Sequence, residues 1–365
     1  MKKIVFTALA LMVVFNSTIY AVPSINAQSA ILIEAESNRV LFEHNSYTKL
    51  PMASTTKIMT ALIALEKGNL KDLIKVDRDS VGIEGSSIYL YEGEIISLED
   101  LLYGLMLRSG NDAAVAIGKH IGGDIDNFVK LMNEKAKKIG ANNTNFTNPH
   151  GLHDDDHYTT AYDLALITSN AMELEKFKEI SKTKSWIANR GKNHIFYNKN
   201  KTLWEYEGGD GVKTGYTTKA GRCLVTSATR NGMQLIAVVL NDYNWFKDCY
   251  ALMDYGFNNF KSYVILDKGQ FVKRVAVNYG NKDEVNAIIE EPFIYPLKEE
   301  ELEKIKVDYN VKDNATAPVN KGDILGKVNI YLDGKLIHKG NIVADKDIKE
   351  LNMFRKIIEI IKDKF

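Results

Sequence analysis

Cysteine is nearly absent from this chain: Cys223 and Cys249 are the only two among 365 residues. So few thiols exclude a disulfide-stapled scaffold and leave the fold to its hydrophobic core. Cys223 falls in an apolar, strand-like run and Cys249 in a helical one. Buried free thiols are therefore expected, although the spacing does not forbid a bridge. An excess charge of either sign is also missing, because 47 basic residues balance 47 acidic ones. A chain without a basic surplus lacks the electrostatic footprint of a nucleic-acid partner. The apolar run from Ile4 to Phe15 is short for a membrane span. Preceded by Lys2-Lys3, it reads as a secretory leader spanning residues 1–27. Cleavage is expected after Ala27, with Ala21 as second choice and an uncleaved anchor as the alternative. The chain is otherwise ordinary for a globular protein, at 45% hydrophobic and 26% charged, and its length suits two domains.

What the chain does carry is three short motifs in one order: Ser54-Thr55-Thr56-Lys57, Ser109-Gly110-Asn111 and Lys213-Thr214-Gly215. The Ser-x-x-Lys pattern also occurs at Ser46/Lys49 and Ser181/Lys184, so context has to choose among the three. Only Ser54 heads an apolar helical run, Ile58 to Lys67, that stops at Gly68. A serine there sits beside unpaired N–H groups and the positive end of the helix dipole, and Lys57 lies one turn on. The bland reading of Ser54 is a helix cap. Ser109 to Asn111 separates two apolar runs, Leu98–Leu107 and Ala113–Ile121, which by itself is an ordinary helix–helix turn. Lys213 precedes a β-rich run, Arg222 to Thr229; Asn231-Gly232 then turns the chain into Gln234 to Leu240. Lys213 is thus expected at a sheet edge facing a groove.

Together the three motifs match the signature of serine enzymes that react with penicillin. The phrases Pro51 to Ala61, Asn148-Pro149-His150-Gly151-Leu152, His157 to Leu164 and Asp210 to Thr217 extend the match. From about Ala30 to Phe260 the chain resembles the low-molecular-mass penicillin-binding proteins that act as D-alanyl-D-alanine carboxypeptidases. The resemblance implies an α+β catalytic domain, a five-stranded antiparallel sheet flanked by helices, with the site between sheet and helical lobe. It also implies an oxyanion pocket from the backbone N–H groups of Ser54 and Tyr216. After Val239-Leu240 some members carry an arginine; here Asn241 to Phe246 follows, so a contact from such an arginine is not carried over.

The residue types fit acyl transfer. Ser54 is the expected nucleophile and Lys57 its base, which requires a neutral amine; burial and the Lys213 charge lower its pKa. Ser109 can relay a proton to the leaving nitrogen, and Asn111 can hold a peptide amide. Lys213 and Thr214 suit a terminal carboxylate, and Gly215 lets the substrate backbone lie close to the strand. No cofactor or metal is needed. The cluster His150, His153, His157 with Asp154 to Asp156 offers metal-ligating types, but it reads as a surface loop.

The implied function is serine D-Ala-D-Ala carboxypeptidase, acting outside the cytoplasmic membrane on peptidoglycan stem peptides and blocked by β-lactam antibiotics. Endopeptidase or transpeptidase action, a β-lactamase and a non-catalytic penicillin sensor are the rivals. The β-lactamase lacks support: Ala171 to Lys178 has no Glu-x-x-Leu-Asn phrase. Residues 28–262 are read as the catalytic domain and 263–346 as a small all-β domain. Its clearest hairpin is Val328 to His338 around Asp333-Gly334. Residues 347–365 carry apolar Ile348, Leu351, Phe354, Ile357, Ile358, Ile361 and Phe365 at helical spacing. They are read as an amphipathic helix for membrane-surface contact or for docking on the β domain.

Overall fold

The computed structural model describes residues 22–353. The catalytic half is built on five strands: β1 (Ser29–Glu34), β2 (Val40–His44), β3 (Gly209–Thr217), β4 (Gly221–Arg230) and β5 (Met233–Leu240). They lie in the order β2-β1-β5-β4-β3, every pair antiparallel. Asn231 (φ +50°) and Gly232 (φ +80°) close the β4–β5 hairpin in the left-handed geometry that a two-residue turn requires.

Successive side chains of β1 and β5 go to different cores. Ile31, Ile33, Ile236, Val238 and Leu240 join the helical lobe. Ala30, Leu32, Leu235, Ala237 and Val239 pack on the opposite face. Covering both faces explains why these strands read as unbroken apolar runs rather than alternating ones. On the first face lie α1 (Lys57–Lys67), α2 (Leu98–Tyr103), α3 (Asn111–Gly122), α4 (Ile125–Lys138), α5 (Ala161–Met172) and α6 (Glu175–Lys182). The second face is covered by α7 (Trp245–Asn259). Helix α1 is buried on every side from Lys57 to Ala64, so all but its last turn is a central rod with no solvent stripe. Strand β3 is left at the sheet edge, beside the turn that carries Ser54. Both cysteines are free and buried.

From Lys261 onward the chain is β-rich, with a six-stranded sheet and a two-stranded ribbon around its own core of Val275, Val285, Val328, Ile330 and Ile342. Two strands here escaped the sequence reading, Ile305–Val311 and Asn314–Thr316. The first does alternate apolar and polar residues; the second is three residues long and pairs in parallel with Ala276 to Asn278. Arg39 joins the two halves, donating to the Pro296 carbonyl and to Glu301 (2.5 Å) while lying over Phe260 and Tyr295.

Two terminal expectations are affected. A helix starting at Asp347 is overturned for its first part: Ile348 pairs with Val319 and Glu350 with Gly280, and Ile348 is buried in the β core. A β-branched residue that fills a sheet core is worth more there than on an isolated helix face. Residues 354–365 of that helix lie outside the described residues, as do residues 1–21 of the leader. Among the described residues, no helix is long and apolar enough to cross a membrane.

Candidate active site

Ser54 sits in a single 3-10 turn, Ala53–Thr56, that leads directly into α1. Ala53 is left-handed at φ +49°, an unusual setting for a residue with a side chain. Hydroxyls hold the turn: Thr55 donates to the Met52 carbonyl at 2.6 Å and Thr56 to the Ala53 carbonyl at 2.8 Å. His157 braces it from outside. Its Nδ1 accepts the Thr147 N–H at 3.0 Å, so Nε2 carries the proton and donates to Thr56 Oγ1 at 2.8 Å. Burial lowers the His157 pKa to about 4, so the ring stays neutral in this role.

Lys57 is fully buried, and its amine meets Ser54 Oγ at 3.1 Å, Asn111 Oδ1 at 2.6 Å and the His150 carbonyl at 2.5 Å. A neutral amine has two hydrogens and one lone pair. Spent on Asn111 and His150, the hydrogens leave the lone pair facing the Ser54 hydroxyl, the arrangement a general base needs. Burial pushes the Lys57 pKa well below its ordinary value, and the charge on Lys213 adds to the shift. Asp112 opposes it.

Asn111 begins α3 and is tied to a loop: its Nδ2 donates to the Glu84 carbonyl and its backbone N–H to the Ser86 carbonyl. The side-chain oxygen expected to hold a substrate amide is therefore engaged with Lys57 instead. Ser109, left-handed at φ +64° and buried, occupies the turn before it. Among the described residues, no hydrogen bond joins its hydroxyl to Ser54 or Lys57. Lys213 is buried on β3; its amine donates to the Thr214 carbonyl at 2.8 Å. Burial, with help from Lys199, lowers its pKa to about 7.

Gly215 also makes a close contact within the chain that the sequence did not announce. A Cβ there would lie 3.0 Å from the Ser54 nitrogen and 3.1 Å from the Met52 oxygen. Its bare backbone lets the edge strand rest on the turn that carries Ser54. The Tyr216 side chain is exposed and pairs across the sheet with Arg222, on the face covered by α7. Arg222 in turn lies over Tyr243 and Trp245, away from the cleft.

Several contributors were missed from sequence. Asp112, buried, accepts from Ser87 Oγ (2.6 Å) and from the N–H groups of Ile88 and Leu90, fixing the loop that grips Asn111. Arg190 fastens the same loop from the other side through the Ile88 and Tyr89 carbonyls, itself paired with buried Glu94. Gly151, at φ +88°, sits where a Cβ would fall 1.9 Å from the Ala53 oxygen. Lys199 adds positive charge near Lys213, and Arg108 adds positive charge near Lys199. Apart from Gly151, which lies in the matched phrase Asn148 to Leu152, these are charged residues of types common on any surface, so nothing local in the sequence marked them. The three clustered histidines diverge: His150 offers its carbonyl to Lys57, His157 braces Thr56, and His153 pairs with exposed Asp155 at 3.3 Å.

Residues 16–244 match the family described as D-alanyl-D-alanine carboxypeptidase. The chain belongs to that family. Residues 260–350 of this carboxypeptidase match the C-terminal domain of penicillin-binding protein 5. It is 36% identical over 339 residues to D-alanyl-D-alanine carboxypeptidase DacF of Bacillus subtilis (strain 168), covering 89% of this chain and 86% of the relative. It is 35% identical over 351 residues to DacA of Haemophilus influenzae, covering 92% and 88%. Its fold is similar to that of penicillin-binding protein 5 from Haemophilus influenzae, with TM-score 0.78 at 32% identity over 91% of this chain and 100% of that one. A mutant of the Streptomyces K15 DD-transpeptidase is similar over 64% of this chain and 99% of its own, with TM-score 0.61 at 32% identity. The protein is a serine hydrolase with a mixed α/β catalytic domain followed by an all-β domain.

Proposed function

We propose that the enzyme removes the terminal D-alanine from peptidoglycan pentapeptide stems through an acyl-enzyme on Ser54, outside the cytoplasmic membrane. Lys57, neutral, takes the Ser54 proton as Oγ attacks the carbonyl of the penultimate D-alanine. The backbone N–H groups of Ser54 and Tyr216 receive the oxyanion. Ser109 passes a proton to the leaving nitrogen, and Lys213 with Thr214 holds the leaving residue's carboxylate. Water then releases the shortened stem. Asn111 acts mainly by orienting Lys57, because its oxygen already faces the amine at 2.6 Å. The single observation that carries this reading is a fully buried lysine amine, its pKa pushed well down by burial, 3.1 Å from the Ser54 hydroxyl.

The test is a mass measurement with penicillin beside a D-alanine release assay on a D-Ala-D-Ala pentapeptide. The wild type acquires one long-lived penicillin adduct and releases D-alanine; Ser54→Ala does neither. An adduct on Ser54→Ala at full stoichiometry sinks the assignment. Rapid turnover of penicillin points instead to a β-lactamase. A transpeptidase reading is favoured by the likeness to a DD-transpeptidase, and an added D-amino acid acceptor appearing in the product would support it. The sequence of residues 353–365 supports contact with a membrane surface, and their deletion is expected to release the protein from membranes.

A further inference from the structure

Residues 22–28 precede the first strand and lie far along the chain from every motif, yet they are built into the fold. Ile25 packs on the core under α7, and Ala27 is 4% exposed within it. The Asn26 N–H donates to Asp248 Oδ2 at 2.5 Å. Asp248 lies in the first turn of α7 and is itself 4% exposed. Beside it is Asp242, 1% exposed, with Oδ2 lacking any partner among the described residues. Gln28 completes the strap: its N–H donates to the Asn241 carbonyl at 3.3 Å, and its Oε1 accepts from Asn241 Nδ2 at 2.8 Å. Val22, by contrast, is 66% exposed.

Two alanines satisfy the small-residue requirement of a leader peptidase, Ala21 and Ala27, and each has isoleucine two positions before it. Local sequence cannot separate them. Cutting after Ala27 would remove the apolar contacts of Ile25 and Ala27 and the donor that Asp248 uses. It would leave two buried carboxylates side by side with one donor fewer, a costly state. Cutting after Ala21 places the new amine on an exposed residue and leaves the strap whole.

We infer that the leader is cut at the Ala21–Val22 bond and that residues 22–28 remain in the mature enzyme as a strap clamping β1 to the start of α7. Water adds across that amide, leaving a carboxyl on Ala21 and an amine on Val22. The inference rests on the export reading, and it displaces the earlier expectation of Ala27.

The test is to express the full chain in an exporting bacterium, purify the protein from outside the cytoplasm, and determine its first residue and intact mass. Val22 is the expected first residue. Any other start, Gln28 above all, overturns the inference, and so does a retained leader. Penicillin acylation of the same sample reports separately on the catalytic reading. As a second arm, chains beginning at Val22 and at Gln28 are compared. The shorter one is expected to melt lower by about 5 °C or to fail to fold, and equal melting temperatures refute the strap.

Discussion

At the scale of single residues, the proposed mechanism requires two lysines kept in opposite protonation states. Lys57 has to be neutral to accept a proton, while Lys213 has to be charged to grip a carboxylate. The dependence of kcat/KM on pH should therefore be bell-shaped, with Lys57 deprotonation on the acid limb and Lys213 deprotonation on the alkaline limb. Lys213→Arg, which stays charged, is expected to move the alkaline limb upward; an unmoved limb would remove Lys213 from that role. Burial also carries a stability consequence. Lys213 has a pKa of about 7 in the folded chain against an ordinary 10.5. Between those values the unfolded chain holds a proton that the folded chain has given up, so stability rises with pH across the window. The penalty is fully present below about pH 7, and Lys213→Met should relieve it. Urea denaturation at pH 6 is expected to show the variant more stable by about 2 kcal/mol, with the gain fading toward pH 10. Gly215→Ala works through contact rather than charge. The added methyl meets backbone at 3.0–3.1 Å, so the Ser54 turn has to shift. Loss of about 1–3 kcal/mol in stability and at least about tenfold in acylation rate is expected, measured by denaturation and by penicillin adduct formation.

At the scale of elements, the site is a meeting of three pieces: the Ser54 turn with α1, the Ser109 turn with α3, and the edge strand β3. The motif residues that announced these pieces were legible because each has a recognisable pattern beside it: an apolar helix after Ser54, apolar runs around Ser109, and a β-hairpin after Lys213. The connections that hold the pieces in register were not legible. Segment 148–152 is an example: Thr60 donates to the Pro149 carbonyl and Lys57 to that of His150. Backbone carbonyls do this work, and no side-chain alphabet records them. Loop 84–90 is another, held by the Asp112 carboxylate. Asp112→Asn should loosen Ile88 and Leu90, cost about 2 kcal/mol in stability, and lower kcat/KM by roughly tenfold. Because Asp112 is the group that favours the charged form of Lys57, the acid limb should also move to lower pH. A stability loss with an unmoved limb would mean that Asp112 is only a brace.

At the scale of the whole molecule, the β domain keeps a core separate from the catalytic one. The link runs through Arg39 and through Lys298, which lies over Tyr255 and Phe260. Among the described residues, no hydrogen bond from the β domain goes to the side chain of Ser54, Lys57, Asn111 or Lys213. A protein ending at Ser262 is thus expected to acylate with penicillin within about threefold of the full-length rate. Complete inactivity of a folded truncation would show that the domain shapes the site. The β domain also reclaims Ile348 from what reads in sequence as one face of a terminal helix. Periodicity alone did not distinguish an apolar residue that serves a helix from one that closes a sheet core.

The sequence by itself determined the chemistry: a serine, a lysine one turn on, and two further polar motifs in a fixed order specify acyl transfer before any fold is known. It also determined the sheet, because two-faced burial writes itself as continuous apolar strands and a two-residue turn demands Asn-Gly. Tertiary structure alone decided which acceptors surround the Lys57 amine, which backbone crowds Gly215, and how residues 22–28 pack against α7. The physical reason is shared by all three. Each depends on a contact between segments distant along the chain, and burial and hydrogen-bond satisfaction are set by such contacts rather than by neighbours in sequence.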